Sequence, residues 1–227
     1  MVFKTMNPEK VAMPSATSTS KRAEAATGAG MRRTLYFTGR REIKLLEEPM
    51  PKPGKGEVLV RTLASAISPG TERLIYRGDI PRDIPVDETI ASLQNDGGFD
   101  YPFKYGYASA GVVEELGAGV EKRWLGKEVF ALHPHTSHFT ERVENLHMLR
   151  FTASVEDALF FPIMETAISL VHDAAPLLGE KVAVFGLGPV GLLTAYLLAK
   201  HPLQHIVGID TSTSRIRRAE EIVGLIP

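Results

Sequence analysis

The spacing of apolar and polar positions divides the chain into three stretches. Residues 1–32 show no apolar periodicity: "PSATSTSKRAEAATGAG" is built from small, polar and charged residues and cannot bury enough surface to offset its ordering entropy. It reads as a disordered tail, and its Ser and Ala content also admits an organelle-targeting peptide, although Glu9 and Glu24 interrupt it. From Thr34 the texture changes to short runs of Val, Ile, Leu and Phe bounded by Gly, Pro and charges. "TLYFTG", "EIKLLEEP", "GEVLVRTLASAIS", "SAGVVEELG" and "KEVFALHP" predict strands of a small β-barrel or sandwich over residues 33–153. Within it, the polar stretch 78–103 predicts a long loop over a cleft.

At Ser154 the period becomes helical. "SVEDALFFPIMETAISLVHDAAPLLG" opens with an N-cap serine and an acid three residues on, and Pro162 should separate two helices. Then follow "KVAVFG", a buried strand; "LGPVGLLTAYLLAKHP", a helix with Pro189 in its first turn; "HIVGID", a second buried strand; and "TSRIRRAEEIVG", the next helix. Strand, helix, strand, helix in this order means a parallel sheet, so residues 154–227 read as linking helices and an α/β domain.

Composition narrows the partners. Twenty-six basic residues against 27 acidic ones leave a net charge of -1, which gives no field for nucleic acid or an anionic membrane. With no cysteine among 227 residues there is neither disulfide nor thiolate metal site, in keeping with a reducing, cytoplasmic setting. No run approaches the roughly 18 to 20 apolar residues of a membrane span.

The chemistry is concentrated at "GLGPVG". Gly186 to Gly191 fit G-x-G-x-x-G, directly after a strand and opening a helix, and Asp210 stands at the end of the next strand, 19 residues past the last glycine. Gly186 permits the tight turn, Gly188 lets a pyrophosphate approach the backbone, and Gly191 lets the helix pack on the strand. Helix N–H groups then face the phosphates. Asp210 would accept hydrogen bonds from the adenosine ribose and repel a 2′-phosphate, favouring NAD over NADP. The competing reading is a glycine-rich turn followed by a surface aspartate.

Taken together, "EPMPKPGKGEVLVRTLASAISPGTE", "YGYASAGVVEELGAGV", "LGKEVFALHPH", "PIMETAISLVHDA", the glycine loop and "GIDTSTSRIRRAEEI" resemble the medium-chain dehydrogenase/reductase superfamily over about residues 33–224. The resemblance implies a GroES-like β-barrel catalytic domain followed by a Rossmann doubly wound parallel sheet, and a nicotinamide-dependent oxidoreductase acting on a carbonyl, enone, quinone or alcohol. It adds Leu187, Pro189, Val190, Thr166 and Arg215 to the cofactor-binding set. In zinc-bearing members a Cys, the His of G-H-E and a second Cys hold the metal; at the matching positions stand Ser68, Tyr107 and Pro162. A hydroxyl, a phenol and a prolyl ring are not zinc donors, so no metal is expected there. His133, His135 and His138 in "HPHTSH" offer either an alternative metal loop or local polar contacts. Ser68, Glu72 and Tyr107 should lie near the cleft; Tyr107 is either a hydrogen-bond donor to substrate or a packing residue, and no catalytic residue is assigned.

The sequence ends at Pro227, 17 residues after Asp210, whereas a complete dinucleotide fold has about six parallel strands. The chain therefore reads as truncated within the Rossmann domain. Two functions follow: a zinc-independent NAD-dependent oxidoreductase with a small-molecule substrate, or a non-catalytic binding module retaining the barrel. In either case the unfinished sheet is expected to be covered by a second copy or another partner.

Overall fold

A computed structural model describes residues 30–80, 99–150 and 153–223. The expected tail, up to residue 29, and the middle of the expected loop, 81–98, lie outside these residues. Strand β1 (Met31–Gly39) begins two residues before the expected boundary and pairs antiparallel with β2 (Glu42–Pro49). Strand β3 (Glu57–Ser65) lies inside the second sheet, between β5 (Ser109–Leu116), its central strand, and β7 (His138–Arg142). Beyond β5 come β6 (Glu128–Ala131) and the short β8 (His147–Met148). Alternation places Val58 and Val60 inward, where they pack with Val113, Val129 and Phe139. Gly111 and Gly117 are demanded by close approach: a Cβ would lie 2.2 Å from the Arg61 carbonyl oxygen and 1.8 Å from that of Gly54.

The expected loop 78–103 is described only at its two ends. Helix α1 (Thr71–Arg77) leads into it, and its far end is core: Phe99 and Phe103 are buried, and β4 (Phe103–Lys104) adds to the first sheet beside β1. Aromatic packing overrides the polar local signal here, since Phe103 stacks on Phe37 with centroids 5.8 Å apart.

Ser154 caps α2 (Val155–Ala158) in a reciprocal box: its hydroxyl accepts the Asp157 N–H, and the Asp157 carboxylate accepts its N–H, each at 3.0 Å. Pro162 occupies the first turn of α3 (Phe161–Ala174), where its missing N–H costs nothing. Strands β9 (Lys181–Phe185) and β10 (His205–Ile209) pair in parallel, connected by α4 (Pro189–Leu198) and followed by α5 (Thr213–Val223). Both helices join Val184 and Ile206 in one apolar cluster. The opposite face of the strands is bare: Phe185 is 79% exposed, Val207 39% and Ile209 42%. These strands were expected to be buried on both faces; among the described residues only one face is covered.

Candidate functional site

A cavity of about 450 Å³ opens where the barrel meets the first turns of α3 and α4. Ser68, Tyr107 and Pro162, from three separate segments, share its wall with Thr166, Pro189 and Val190. The positions singled out from the sequence thus converge. Tyr107 stands edge-on to Tyr105, with centroids 6.2 Å apart, and is partly packed against the aromatic cluster of the first sheet.

The glycine loop explains itself residue by residue. Gly186 turns the chain at φ 88°, and its N–H donates to the Ile209 carbonyl at 2.7 Å, extending the β9–β10 pairing. Gly191 is fixed by contact, since a Cβ would lie 1.8 Å from the Gly186 carbonyl oxygen. Gly188 differs from both. Its backbone, φ -70° and ψ -176°, suits any residue, and a Cβ would meet nothing within 4 Å. Neither backbone nor protein neighbours call for glycine at that point; the missing side chain leaves open space before α4. No side chain caps that helix, and the helical ladder offers no acceptor for the N–H groups of Val190 and Gly191. Open space, free amides and the positive end of a helix dipole fit a pyrophosphate.

Asp210 follows β10 directly. Its carboxylate, with a side chain only 4% exposed, accepts the Ser212 N–H at 2.8 Å and the Leu187 N–H at 2.7 Å, and Arg215 approaches at 3.4 Å. The Ser212 amide foremost, then that of Leu187 and, less strongly, Arg215, hold its pKa below the usual carboxylate value. Asp210 is therefore a staple of the glycine loop as well as a negative charge beside it, a role the sequence did not reveal. Leu187 contributes its backbone and buries its side chain. Thr166 lines the cavity from α3, with its hydroxyl donating to the Pro162 carbonyl at 2.9 Å.

The three histidines of "HPHTSH" diverge. His133 stacks on Phe139, with centroids 4.0 Å apart, and burial foremost pushes its pKa down to about 3. His138 lies 3.7 Å from Glu114, with a pKa lowered chiefly by burial. His135 turns inward to Glu72, also reaching Ser65. Among the described residues, no three His, Asp or Glu side chains gather as metal donors. Glu72, expected near the cleft, is 2% exposed beneath the Ser68 turn.

No protein-family model matches the chain. It is 29% identical over 211 residues to (R,R)-butanediol dehydrogenase of Bacillus subtilis, covering 81% of this chain and 59% of that protein. It is 26% identical over 213 residues to L-threonine 3-dehydrogenase of Coxiella burnetii, covering 78% of this chain and 56% of that protein. A crystal structure of an alcohol dehydrogenase from Escherichia coli complexed with NADH superposes with a TM-score of 0.69 at 18% identity, covering 86% of this chain and 61% of that one. The recognisable relatives and structural neighbours are thus medium-chain alcohol and zinc-type dehydrogenases, and the fold is theirs: a GroES-like barrel followed by part of a Rossmann domain. The chain spans about 60% of the length of the proteins it matches.

Proposed function

We propose that the chain carries the dinucleotide site of a cytoplasmic NAD-dependent oxidoreductase that transfers a hydride to or from a small carbonyl, enone, quinone or alcohol without zinc. The observation that carries this reading is the open space before Gly188 at the uncapped N-terminus of α4, beside the Asp210 carboxylate. Val190 and Gly191 would hold the pyrophosphate through their amides, with Asp210 and Arg215 at the adenosine ribose. The nicotinamide, when bound, supplies the hydride. Tyr107 and Ser68 line the cavity with hydroxyls that can donate to a substrate oxygen as charge develops on it. Oxidation of NADH in the presence of aldehydes, enones or quinones tests the activity. Saturable NADH binding without turnover of any of them would favour a binding module instead.

The donor set at the matching positions supports a zinc-free site, because serine, tyrosine and proline do not replace two thiolates and an imidazole. The untagged protein is expected to contain well under one zinc per chain by elemental analysis. Tightly held stoichiometric zinc would overturn this.

The face of β9 and β10 left bare among the described residues supports a homodimer or another partner over this sheet, since two parallel strands with one exposed apolar face are too few for independent stability. In a sample held monomeric, amides of Val182–Phe185 and Val207–Ile209 should exchange with solvent faster than those of β3 and β5. Equal protection would show the pair to be self-sufficient.

A further inference from the structure

One carboxylate stands alone on the wall of the cleft. The cavity of about 450 Å³ is lined by apolar groups and by the hydroxyls of Ser68, Thr71, Tyr107 and Thr166, and Glu165 is the single charged side chain among its described lining residues. It stands in the second turn of α3, is exposed, and has no hydrogen bond or ion pair with another described residue. No basic side chain among those lining residues balances it. Arg73 lines a neighbouring crevice instead, with Leu35, Phe37 and Ile43. Glu72, beneath the Ser68 turn, has both carboxylate oxygens engaged, by the Ser68 N–H and by His135.

The adjacent hydroxyl reinforces the sign of this wall. Thr166 Oγ donates its one proton to the Pro162 carbonyl at 2.9 Å, so toward the cavity it can only accept. Glu165 and Thr166 thus bring two acceptors to one wall. A primary ammonium suits them, being a compact cation with three N–H donors and no acceptor. A carboxylate or phosphate on the substrate would meet a like charge without a compensating cation. A metal ion is poorly served, because no three His, Asp or Glu side chains gather among the described residues.

We propose that Glu165, with Thr166 beside it, selects a substrate whose carbonyl or alcohol carries a primary ammonium group; this rests on the oxidoreductase reading and names the substrate class of the same cleft. The ammonium donates to the Glu165 carboxylate and to Thr166 Oγ, while Ser68 and Tyr107 remain for the reacting oxygen. A pyrophosphate at the Val190 amide, on the same cavity wall, adds negative charge and strengthens the preference. Glu165 is a specificity-determining residue here and takes no part in the bond changes.

Three aromatic probes of similar size and different charge test it without turnover: benzylamine, benzyl alcohol and benzoate, each titrated into the unmodified chain and followed by nuclear magnetic resonance. Benzylamine should bind about threefold to tenfold more tightly than benzyl alcohol, and benzoate most weakly. Glu165→Gln keeps the side-chain shape and removes the charge, so benzylamine affinity should fall to that of benzyl alcohol with the melting temperature unchanged. Glu165→Asp keeps the charge and should retain the order of the three probes. Benzylamine that binds no better than benzyl alcohol, or not at all, overturns the proposal, as does an unchanged preference in Glu165→Gln. If the probes bind in the expected order but the chain oxidises NADH with no carbonyl compound, the oxidoreductase reading fails and the ammonium subsite stands.

Discussion

Replacing Gly188 with alanine is expected to leave folding stability within about 1 kcal/mol of the original while weakening NADH binding about tenfold to a hundredfold. Position 188 has an ordinary backbone, and a Cβ would touch no protein atom within 4 Å, so the folded chain has little reason to resist it. Under the proposed assignment, a methyl group there would instead fill the space a pyrophosphate needs to reach the Val190 and Gly191 amides. Gly191→Ala supplies the contrast. Glycine to alanine inside a helix normally stabilises by roughly 1 kcal/mol. At Gly191 the added Cβ would sit 1.8 Å from a backbone oxygen, so the loop must move and the sign reverses. Thermal melts and NADH titrations of the two variants separate the cases: binding loss without destabilisation at 188, both together at 191. A Gly188→Ala chain that binds NADH normally would show that the gap before α4 is not a phosphate site.

The second large effect is expected at Asp210. Its carboxylate is ionised at neutral pH, because the Ser212 and Leu187 amides foremost favour the charged form, and under the proposed NAD assignment it would meet the 2′-phosphate of NADPH as a like charge. Asp210→Ala removes that repulsion and releases Arg215, whose side chain is 56% exposed and held to Asp210 at 3.4 Å. The freed guanidinium suits a phosphate. The ratio of NADH to NADPH affinity should therefore fall by about tenfold or more. NADH affinity itself should also fall, since the Leu187 amide loses its acceptor and the glycine loop its staple. An unchanged ratio would remove Asp210 from cofactor choice.

Periodicity revealed what depends on neighbouring residues. The alternation in "GEVLVRTLASAIS" and "SAGVVEELG" gave β3 and β5, and Ser154 with Asp157 announced the start of α2. The turn at Gly186 and the close packing at Gly191 were equally legible, because each requires glycine. Strands β4 and β8, two residues each, are too short to carry a period, and β7 begins inside the histidine run. What sequence could not show is contact across distance. Glu72 and His135 meet over 63 residues, and Asp210 reaches back 23 residues to the Leu187 amide. Neither partner carries a local signal for the other, so both networks appear only once the sheets are assembled.

The most direct measurement is a calorimetric titration of the unmodified chain with NADH and NADPH. Saturable binding of one NADH per chain, with weaker binding of NADPH, is the expected result. No saturable NADH binding, or NADPH binding at equal strength, would contradict the assignment of Gly186–Gly191 and Asp210 as an NAD site.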